Sequence, residues 1–396
     1  MRPKTVMVIA GEASGDALAG ELVRALSQTI PQAKFFGAGG PKMAEAGVEI
    51  IFETTIESII GPSPKAFRLI KVFRGLLDEA IKRQPELIVL VDFGLFNRWF
   101  AHAVRKKLRD GEGTSSNWHP KIVQFVSPQV WASRPGRAQK IAREMDLLLC
   151  LFPFEKEWYA KRVPGFHVEF VGHPMFDRYA VGTRSSASQT LSITDEKKVR
   201  DAVERIPTVV LLPGSRSGEL KRHLPAMIEA AKKIAAQKNV RFKMVLPNEQ
   251  MKQLANELGA VLPNLEIQIG GLAPALAEAT IALASTGTVT LECAYFGVPT
   301  IAFYKTSWLT FQIGKRIVQV KFLAMPNLLA DEAVFPEFIQ HEVTAENLTR
   351  AALDLLNNPA RCDEIKSKLQ KIMQSLGGPG ASRRAAEAIV KLTGGV

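Results

Sequence analysis

The chain has 396 residues, 46% of them hydrophobic and 23% charged, and a formal net charge of +12. That length exceeds one ordinary core and suits two domains, with ample apolar residues for burial. Cys150, Cys293 and Cys362 are too few and too far apart to make a metal-ligand or redox pair, which points to a reducing cytoplasm.

In chain order, the first half alternates strands and helices. Strands are predicted at Thr5–Ala10, Leu87–Val91, Lys121–Val126, Leu147–Leu151 and His167–Val171. Between the first two, Leu18, Leu22, Ala25 and Leu26 fall on one helical face. No apolar leader precedes the first strand, and no run approaches the roughly 18 apolar residues of a membrane span. Lys65, Arg68, Lys71 and Arg74 recur every third residue among Phe67, Ile70 and Phe73, a pattern suited to an anionic membrane surface or to a solvated helix face. Asp110–Pro120 reads as a surface loop. The polar stretch Gly182–Thr190 follows Gly172-His173-Pro174 and marks a domain boundary.

The rhythm resumes with strands predicted at Thr208–Leu212, Arg241–Leu246, Leu265–Ile269, Ala279–Ala284 and Thr300–Tyr304. Strands alternating with helices make parallel, doubly wound sheets. The expected fold class is therefore α/β, with two Rossmann-like domains facing across a cleft. Residues 1–182 form the first domain and 183–375 the second. A closing helix in 376–396, after the breakers Gly377-Gly378-Pro379-Gly380, crosses back to the first domain or is exchanged between subunits.

Several strand ends carry chemistry. Gly11-Glu12-Ala13-Ser14-Gly15-Asp16 follows the first strand, and Pro213-Gly214-Ser215-Arg216, with Glu219, follows Thr208–Leu212. Such turns present backbone N–H groups at a helix start, where anions bind. Only the second adds an arginine, a permanent fork for a phosphate. Ser285-Thr286-Gly287-Thr288 repeats the arrangement, with Glu292 placed either for ribose hydroxyls or simply as a helix-start acid. Asp92 ends the apolar strand Leu87–Val91, where a carboxylate serves as a base or accepts from the loop Phe93–Asn97. His173 reads as a supporting group at the domain exit. There is no Asp-x-Asp pair and no His/Cys cluster, so neither metal nor cofactor is expected. A dehydrogenase is disfavoured because Gly11–Asp16 lacks the G-x-G-x-x-G order. The positive charge fits phosphorylated substrates, a membrane surface or plain solubility. Nucleic acid is not expected, since no zinc-finger or RNA-binding signature accompanies it.

These motifs together resemble the lipid-A-disaccharide synthases, inverting glycosyltransferases with two Rossmann domains (the GT-B type). The matching segments are Gly11–Asp16, Gly39-Gly-Pro-Lys-Met43, Val126-Ser-Pro-Gln-Val-Trp-Ala132, Pro153-Phe-Glu-Lys156, Phe170-Val-Gly-His173, Leu211–Arg216, Gly287-Thr288 with Leu291-Glu292, and Pro326-Asn-Leu-Leu-Ala330. The resemblance implies transfer of 2,3-diacylglucosamine from its UDP derivative to 2,3-diacylglucosamine 1-phosphate, giving a β-1,6 disaccharide 1-phosphate and UDP. It implies no metal, Asp92 as the essential carboxylate, and UDP against Gly214, Ser215, Arg216, Glu219, Thr286, Gly287, Thr288, Glu292, Asn327 and Gln340. Glu12, Ser14, Asp16, Asn97, Ser127 and His173 fall on the acceptor side or in support. Acylated substrates place the protein at the cytoplasmic face of the inner membrane, and the family permits a homodimer.

The sequence departs from the family pattern at Ile60–Pro64, Gly94, Ser133 and Thr286. The rival readings are another UDP-sugar enzyme, either a polyprenyl-linked transferase or a sugar-nucleotide 2-epimerase, and a non-catalytic UDP-sugar binder.

Overall fold

The computed structural model describes residues 5–54, 64–111, 118–183 and 206–394, with side chains left out at 64–67, 180–183 and 313. The polar stretch from 184 to 190, the segment 60–63 and loop residues 112–117 lie outside the described residues. Two compact units emerge. One comprises residues up to Val181 together with those from Leu376 onward, and the other is Gly182–Ser375.

The first unit holds a seven-stranded, all-parallel sheet ordered β3-β2-β1-β4-β5-β6-β7. Its strands are β1 (Thr5–Ala10), β2 (Lys34–Gly39), β3 (Val48–Glu53), β4 (Leu87–Val91), β5 (Lys121–Phe125), β6 (Leu147–Cys150) and β7 (Val168–Phe170). A parallel sheet covered by helices on both faces needs apolar side chains on both, which explains why every residue of Leu87-Ile-Val-Leu-Val91 is buried. Met7, Ile9, Ile88, Leu90, Phe96 and Phe100 belong to its core.

The second unit repeats the design with six parallel strands ordered β10-β9-β8-β11-β12-β13. These are β8 (Thr208–Leu212), β9 (Arg241–Leu246), β10 (Leu265–Ile269), β11 (Ile281–Ser285), β12 (Thr300–Tyr304) and β13 (Glu337–Ile339). In each sheet the strand order reverses once, between β1 and β4 and between β8 and β11. Such switch points leave a crevice at the carboxyl ends of the two strands, where ligands bind in this fold class.

Strands β2, β3 and β13 escape the sequence reading for local reasons. In β2, Lys-Phe-Phe-Gly-Ala-Gly lacks a β-branched run. Gly37 is demanded by its neighbour, because a Cβ there would lie 1.9 Å from the Val8 carbonyl oxygen. Strand β13 is three residues long and becomes a strand only by pairing with β12.

The chain's last helix, Ala381–Leu392, packs on helix Glu12–Thr29 of the first unit. Asp177 caps it, accepting from the N–H groups of Gly380 and Ser382. Arg384 clamps the crossing by donating to Val171 O at 2.7 Å, Pro379 O at 2.7 Å and Gly378 O at 3.1 Å. Gly172, at φ +85, leaves room for this arginine, since a Cβ there would meet Nη2 at 2.4 Å.

The membrane pattern on helix Pro64–Arg83 needs correction. Lys65 and Phe67 lie outside the described side chains. Phe73 turns inward, edge-on to Phe96 at 5.5 Å and to Phe100 at 5.9 Å. Among the described side chains of that stretch, Arg68, Ile70, Lys71 and Arg74 face outward while Phe73 is core packing. Among the described residues, no helix is long and apolar enough to cross a membrane.

Candidate active site

At the first switch point, Ala10 of β1 is paired with Val91 of β4, and Val91 with Phe125 of β5. The chain therefore leaves these strands side by side, at Gly11-Glu12, at Asp92 and at Val126. Each exit carries a non-glycine residue with positive φ: Glu12 at +55, Asp92 at +36 and Val126 at +72. Such backbones cost about 1–3 kcal/mol apiece and gather at functional sites; a β-branched residue tolerates them least.

Neighbouring side chains hold the strain in place. Gln124, buried, donates from Nε2 to Val126 O at 3.1 Å and accepts at 3.5 Å from Asn97 Nδ2. Gly11 has no room for a side chain, because a Cβ would sit 2.4 Å from the Phe93 ring. A Cβ at Gly15 would lie 3.7 Å from the Val91 carbonyl oxygen and 3.8 Å from that of Asp92, so the start of the next helix packs close to this strand end. The Gly11–Asp16 turn and Asp92 thus form one packed edge.

The Asp92 side chain still meets solvent, with protein crowding its other sides. Desolvation, and secondarily the charge of Glu12, raise its carboxyl from 3.8 to about 6. Glu12 and Ser14 are exposed at the first turn of helix Glu12–Thr29.

Asp16 is different. It is buried, and its carboxylate accepts from Gly40 N at 2.8 Å, Lys42 N at 2.9 Å and Met43 N at 3.0 Å. It caps helix Pro41–Glu45, a supporting contact of the kind the sequence reading allowed it. Asn97, also fully buried, supports the Gln124–Val126 exit in the same way. The His173 N–H donates to Leu376 O at 3.2 Å, at the tail crossing. Its Nδ1 accepts from Met175 N at 3.2 Å, and burial lowers its pKa to about 4, so the ring is neutral at pH 7.

Sequence reasoning gave no role to one group beside this edge. Glu155, buried, accepts from Trp131 Nε1 at 3.0 Å and Phe152 N at 3.1 Å. Desolvation lifts it to about 7, against hydrogen bonds that include the Ser127 hydroxyl. Burial likewise pushes up the neighbouring Tyr159 phenol. Ser127 therefore borders a buried polar cluster.

In the second unit, Leu212 of β8 pairs with Ala284 of β11, so Pro213–Arg216 and Thr286–Thr288 also emerge side by side. Gly214 has φ +117 and lies under Glu219, whose Oε2 a Cβ would approach to 2.5 Å. Glu219 Oε2 accepts from Ser215 N at 3.2 Å, and Oε1 lies 3.7 Å from Arg216 Nη1. The Glu219 carboxylate thus rests on the Ser215 N–H and beside the Arg216 guanidinium. Arg216 N-caps helix Ser217–Ala235, with its side chain half exposed.

Gly287, at φ +145, N-caps helix Thr288–Tyr295, and Thr290 secures this turn through Oγ1 to Gly287 O at 2.7 Å. The leading N–H groups of a helix have no partner within the helix, so both starts are of the kind that suits anionic oxygens. Thr286 is half-buried, Thr288 exposed and Glu292 half-buried beside this turn.

Asn327 and Gln340, read from the sequence as nucleotide contacts, are engaged elsewhere. Asn327 is fully buried; its amide donates to Phe335 O at 2.9 Å and Glu337 Oε2 at 3.1 Å and accepts from Phe335 N at 2.7 Å. Gln340, at φ +59, brackets Thr306, accepting from its N–H at 3.0 Å and donating to its carbonyl at 2.8 Å. Both amides hold loops at the sheet's carboxyl edge.

His223, unmarked by any motif, joins the same edge. Fully buried, it accepts at Nε2 from Lys305 N at 3.0 Å, so its proton sits on Nδ1 and is donated to Pro213 O at 2.7 Å. Burial lowers its pKa, which keeps this neutral bridge intact. Among the described residues, no group of three His, Cys, Asp or Glu side chains gathers to hold a metal ion.

The family profile described as lipid-A-disaccharide synthetase matches residues 6–392 of this chain. The chain belongs to that family. A lipid-A-disaccharide synthase from Solibacter usitatus (strain Ellin6076) is 36% identical, and one from Myxococcus xanthus (strain DK1622) 34%, each over 98% of both chains. In fold, the chain is similar to a UDP-GlcNAc 2-epimerase from Neisseria meningitidis bound to UDP-GlcNAc. That match has a TM-score of 0.62 and 12% identity, and covers 98% of this chain and 100% of the other. It is similar also to the calicheamicin glycosyltransferase CalG4, with a TM-score of 0.59, 14% identity and 99% of both chains covered. These distant likenesses establish the two-Rossmann architecture. Membership of the lipid-A-disaccharide synthetase family makes the chain a glycosyltransferase of lipid A assembly.

Proposed function

We propose that this protein transfers a 2,3-diacylglucosaminyl group from its UDP derivative to the 6-hydroxyl of 2,3-diacylglucosamine 1-phosphate. The products are the β-1,6-linked disaccharide 1-phosphate and UDP. The observation that carries the reading is Asp92. It is a strained, crowded carboxylate with pKa about 6 at one switch point, in a family member whose other switch point bears the Gly214-Ser215-Arg216 turn.

In the reaction, Asp92 accepts the proton of the acceptor hydroxyl as its oxygen forms a bond to the donor's anomeric carbon. The bond from that carbon to the diphosphate breaks on the opposite side, its electron pair stays on the departing oxygen, and the configuration inverts. With a pKa of about 6, Asp92 is about ten-to-one ionised at pH 7, yet more basic than an ordinary aspartate. Arg216, with the N–H groups of the Gly214 and Gly287 turns, meets the charge that builds on the diphosphate. Glu219 leaves the Ser215 N–H as the phosphate arrives. Glu12 keeps Asp92 basic, and His223 and Gln340 hold the loops around the diphosphate.

Both substrates carry acyl chains, and at about 0.8 kcal/mol per buried CH₂ they remain in a bilayer. The protein therefore works as a peripheral enzyme on the cytoplasmic membrane face. The test is to mix both acylated sugars with the protein in EDTA and look by mass spectrometry for tetraacyl disaccharide 1-phosphate. UDP release without that product, or no reaction with an intact fold, refutes the reading.

A further inference from the structure

Two large apolar side chains stand nearly free in solvent on the second unit. Trp308 is 72% exposed and its neighbour Leu309 is 64% exposed, at the start of helix Trp308–Ile317. Consecutive residues on a helix diverge by about 100°, so both cannot join one buried stripe. Here both point out, while Phe311 is half-buried. The end that bears them is well held: Ser307 N-caps it, its Oγ accepting from Thr310 N at 3.2 Å.

The surrounding charge has one sign. No Asp or Glu occurs between Glu292 and Asp331, whereas Lys305, Lys315, Arg316 and Lys321 do. Lys315, Arg316 and Lys321 are exposed, together with Val318. None of the four cations forms an ion pair with a described residue. Lys321 leans instead over the Phe322 ring, with Nζ 4.9 Å from its centroid. An exposed Trp-Leu pair flanked by unpaired cations matches the chemistry of an anionic lipid surface, where indole settles among headgroups and lysines meet phosphates.

The position adds to this. Lys305 and Thr306, which lead into the helix, are fastened by His223 and Gln340, and His223 also holds Pro213 of the Gly214 turn. Whatever seats on Trp308 is thereby kept at a fixed offset from the candidate diphosphate turn of the same unit.

We propose that helix Trp308–Ile317 and the following segment to Phe322 dock the second unit onto an anionic bilayer. A donor whose chains stay in that bilayer is then presented at the height of the Gly214 turn. The docking deepens the reading of a membrane-held donor, but its test does not require turnover.

The experiment is co-sedimentation of the full chain with vesicles of phosphatidylglycerol and phosphatidylcholine, or of phosphatidylcholine alone. The wild type is expected to bind the anionic vesicles and to release them as salt rises. Trp308→Ser with Leu309→Ser lowers the partition coefficient at least about tenfold, and Lys315→Gln with Arg316→Gln and Lys321→Gln lowers it comparably and flattens the salt dependence. UDP affinity, read by calorimetry, stays within about twofold and reports an intact second unit.

A second measurement avoids destabilising substitutions. Brominated lipids quench wild-type tryptophan fluorescence more than that of Trp308→Phe. Equal quenching in the two, or unchanged vesicle binding in the serine variant, overturns the proposal. So does loss of self-association in that variant with vesicle binding intact, which assigns the patch to a second copy. Vesicle binding that depends on Trp308 in a protein forming no disaccharide would sink the proposed reaction and leave the docking standing.

Discussion

Replacing Glu12 by glutamine isolates the electrostatic part of Asp92's basicity. Two causes raise that carboxyl from 3.8 to about 6, desolvation first and the Glu12 charge second. The charge therefore supplies less than half of the rise. Its removal lowers the Asp92 pKa by less than about one pH unit, or under about 1.4 kcal/mol of proton affinity. Only the ionised carboxylate accepts the acceptor's proton, so kcat/KM climbs with pH through this pKa. In Glu12→Gln the acid limb shifts to lower pH, and the variant gains on the wild type below pH 6. Above pH 7, where both are ionised, the variant is a slightly weaker base and falls behind by a few-fold at most, on the order of its lost proton affinity. The assay is the initial rate of disaccharide formation in mixed micelles between about pH 4.5 and 8. A limb that stays in place in Glu12→Gln, or that survives unchanged in Asp92→Asn, refutes the coupling and removes Asp92 as the titrating group.

The other predictions concern the two strand-end turns. Asp92→Asn lowers kcat by about 10²–10⁴ while UDP affinity by calorimetry is unchanged, because a base is lost and the nucleotide turn is untouched. Arg216→Ala weakens UDP binding by about 1.5–3 kcal/mol, roughly 10- to 150-fold, the ordinary worth of a hydrogen bond to a charged group; unaltered affinity would separate Arg216 from the diphosphate. Gly214→Ala forces an L-residue to φ +117 and drives a Cβ to within 2.5 Å of Glu219, so UDP binding falls and Glu219→Ala partly restores it. His223→Ala strands Pro213 O and Lys305 N in the interior, lowering unfolding free energy by about 1–3 kcal/mol per orphaned group. In the wild type, the folded pKa of His223 lies below its unfolded value. Its stability share is thus present above about pH 6.5 and lost as pH falls through the folded pKa, and this slope disappears in His223→Ala denaturant titrations.

The strands that frame both switch points were legible in the sequence. Thr5–Ala10, Leu87–Val91 and Thr208–Leu212 are continuous apolar runs, since strands buried on both faces must be apolar throughout. Gly11, Asp92, Gly214, Arg216 and Gly287 could be placed because each follows such a run directly. For Asn327, Gln340 and Asp16 the sequence did not reveal which backbone groups each side chain would hold. A polar side chain near a ligand-binding edge looks the same in sequence whether it faces a ligand or a backbone. Phe73 failed likewise: its spacing fits an outward stripe, yet Phe96 and Phe100 on another helix draw it inward.

The amino-acid order by itself determined the alternation of strand and helix, the small-residue turns after β1, β8 and β11, and the membership that names the chemistry. These are local properties, carried by side-chain size and polarity over a few adjacent positions. Only the tertiary structure decided which groups act together. Glu12 lifts Asp92, Glu219 covers the Ser215 N–H, and His223 joins Pro213 to Lys305, which lies 82 positions beyond the histidine in the chain. Electrostatic and hydrogen-bond energies depend on separation in space and on the exclusion of water. Both are set when the parallel strands stack in an order the chain does not follow.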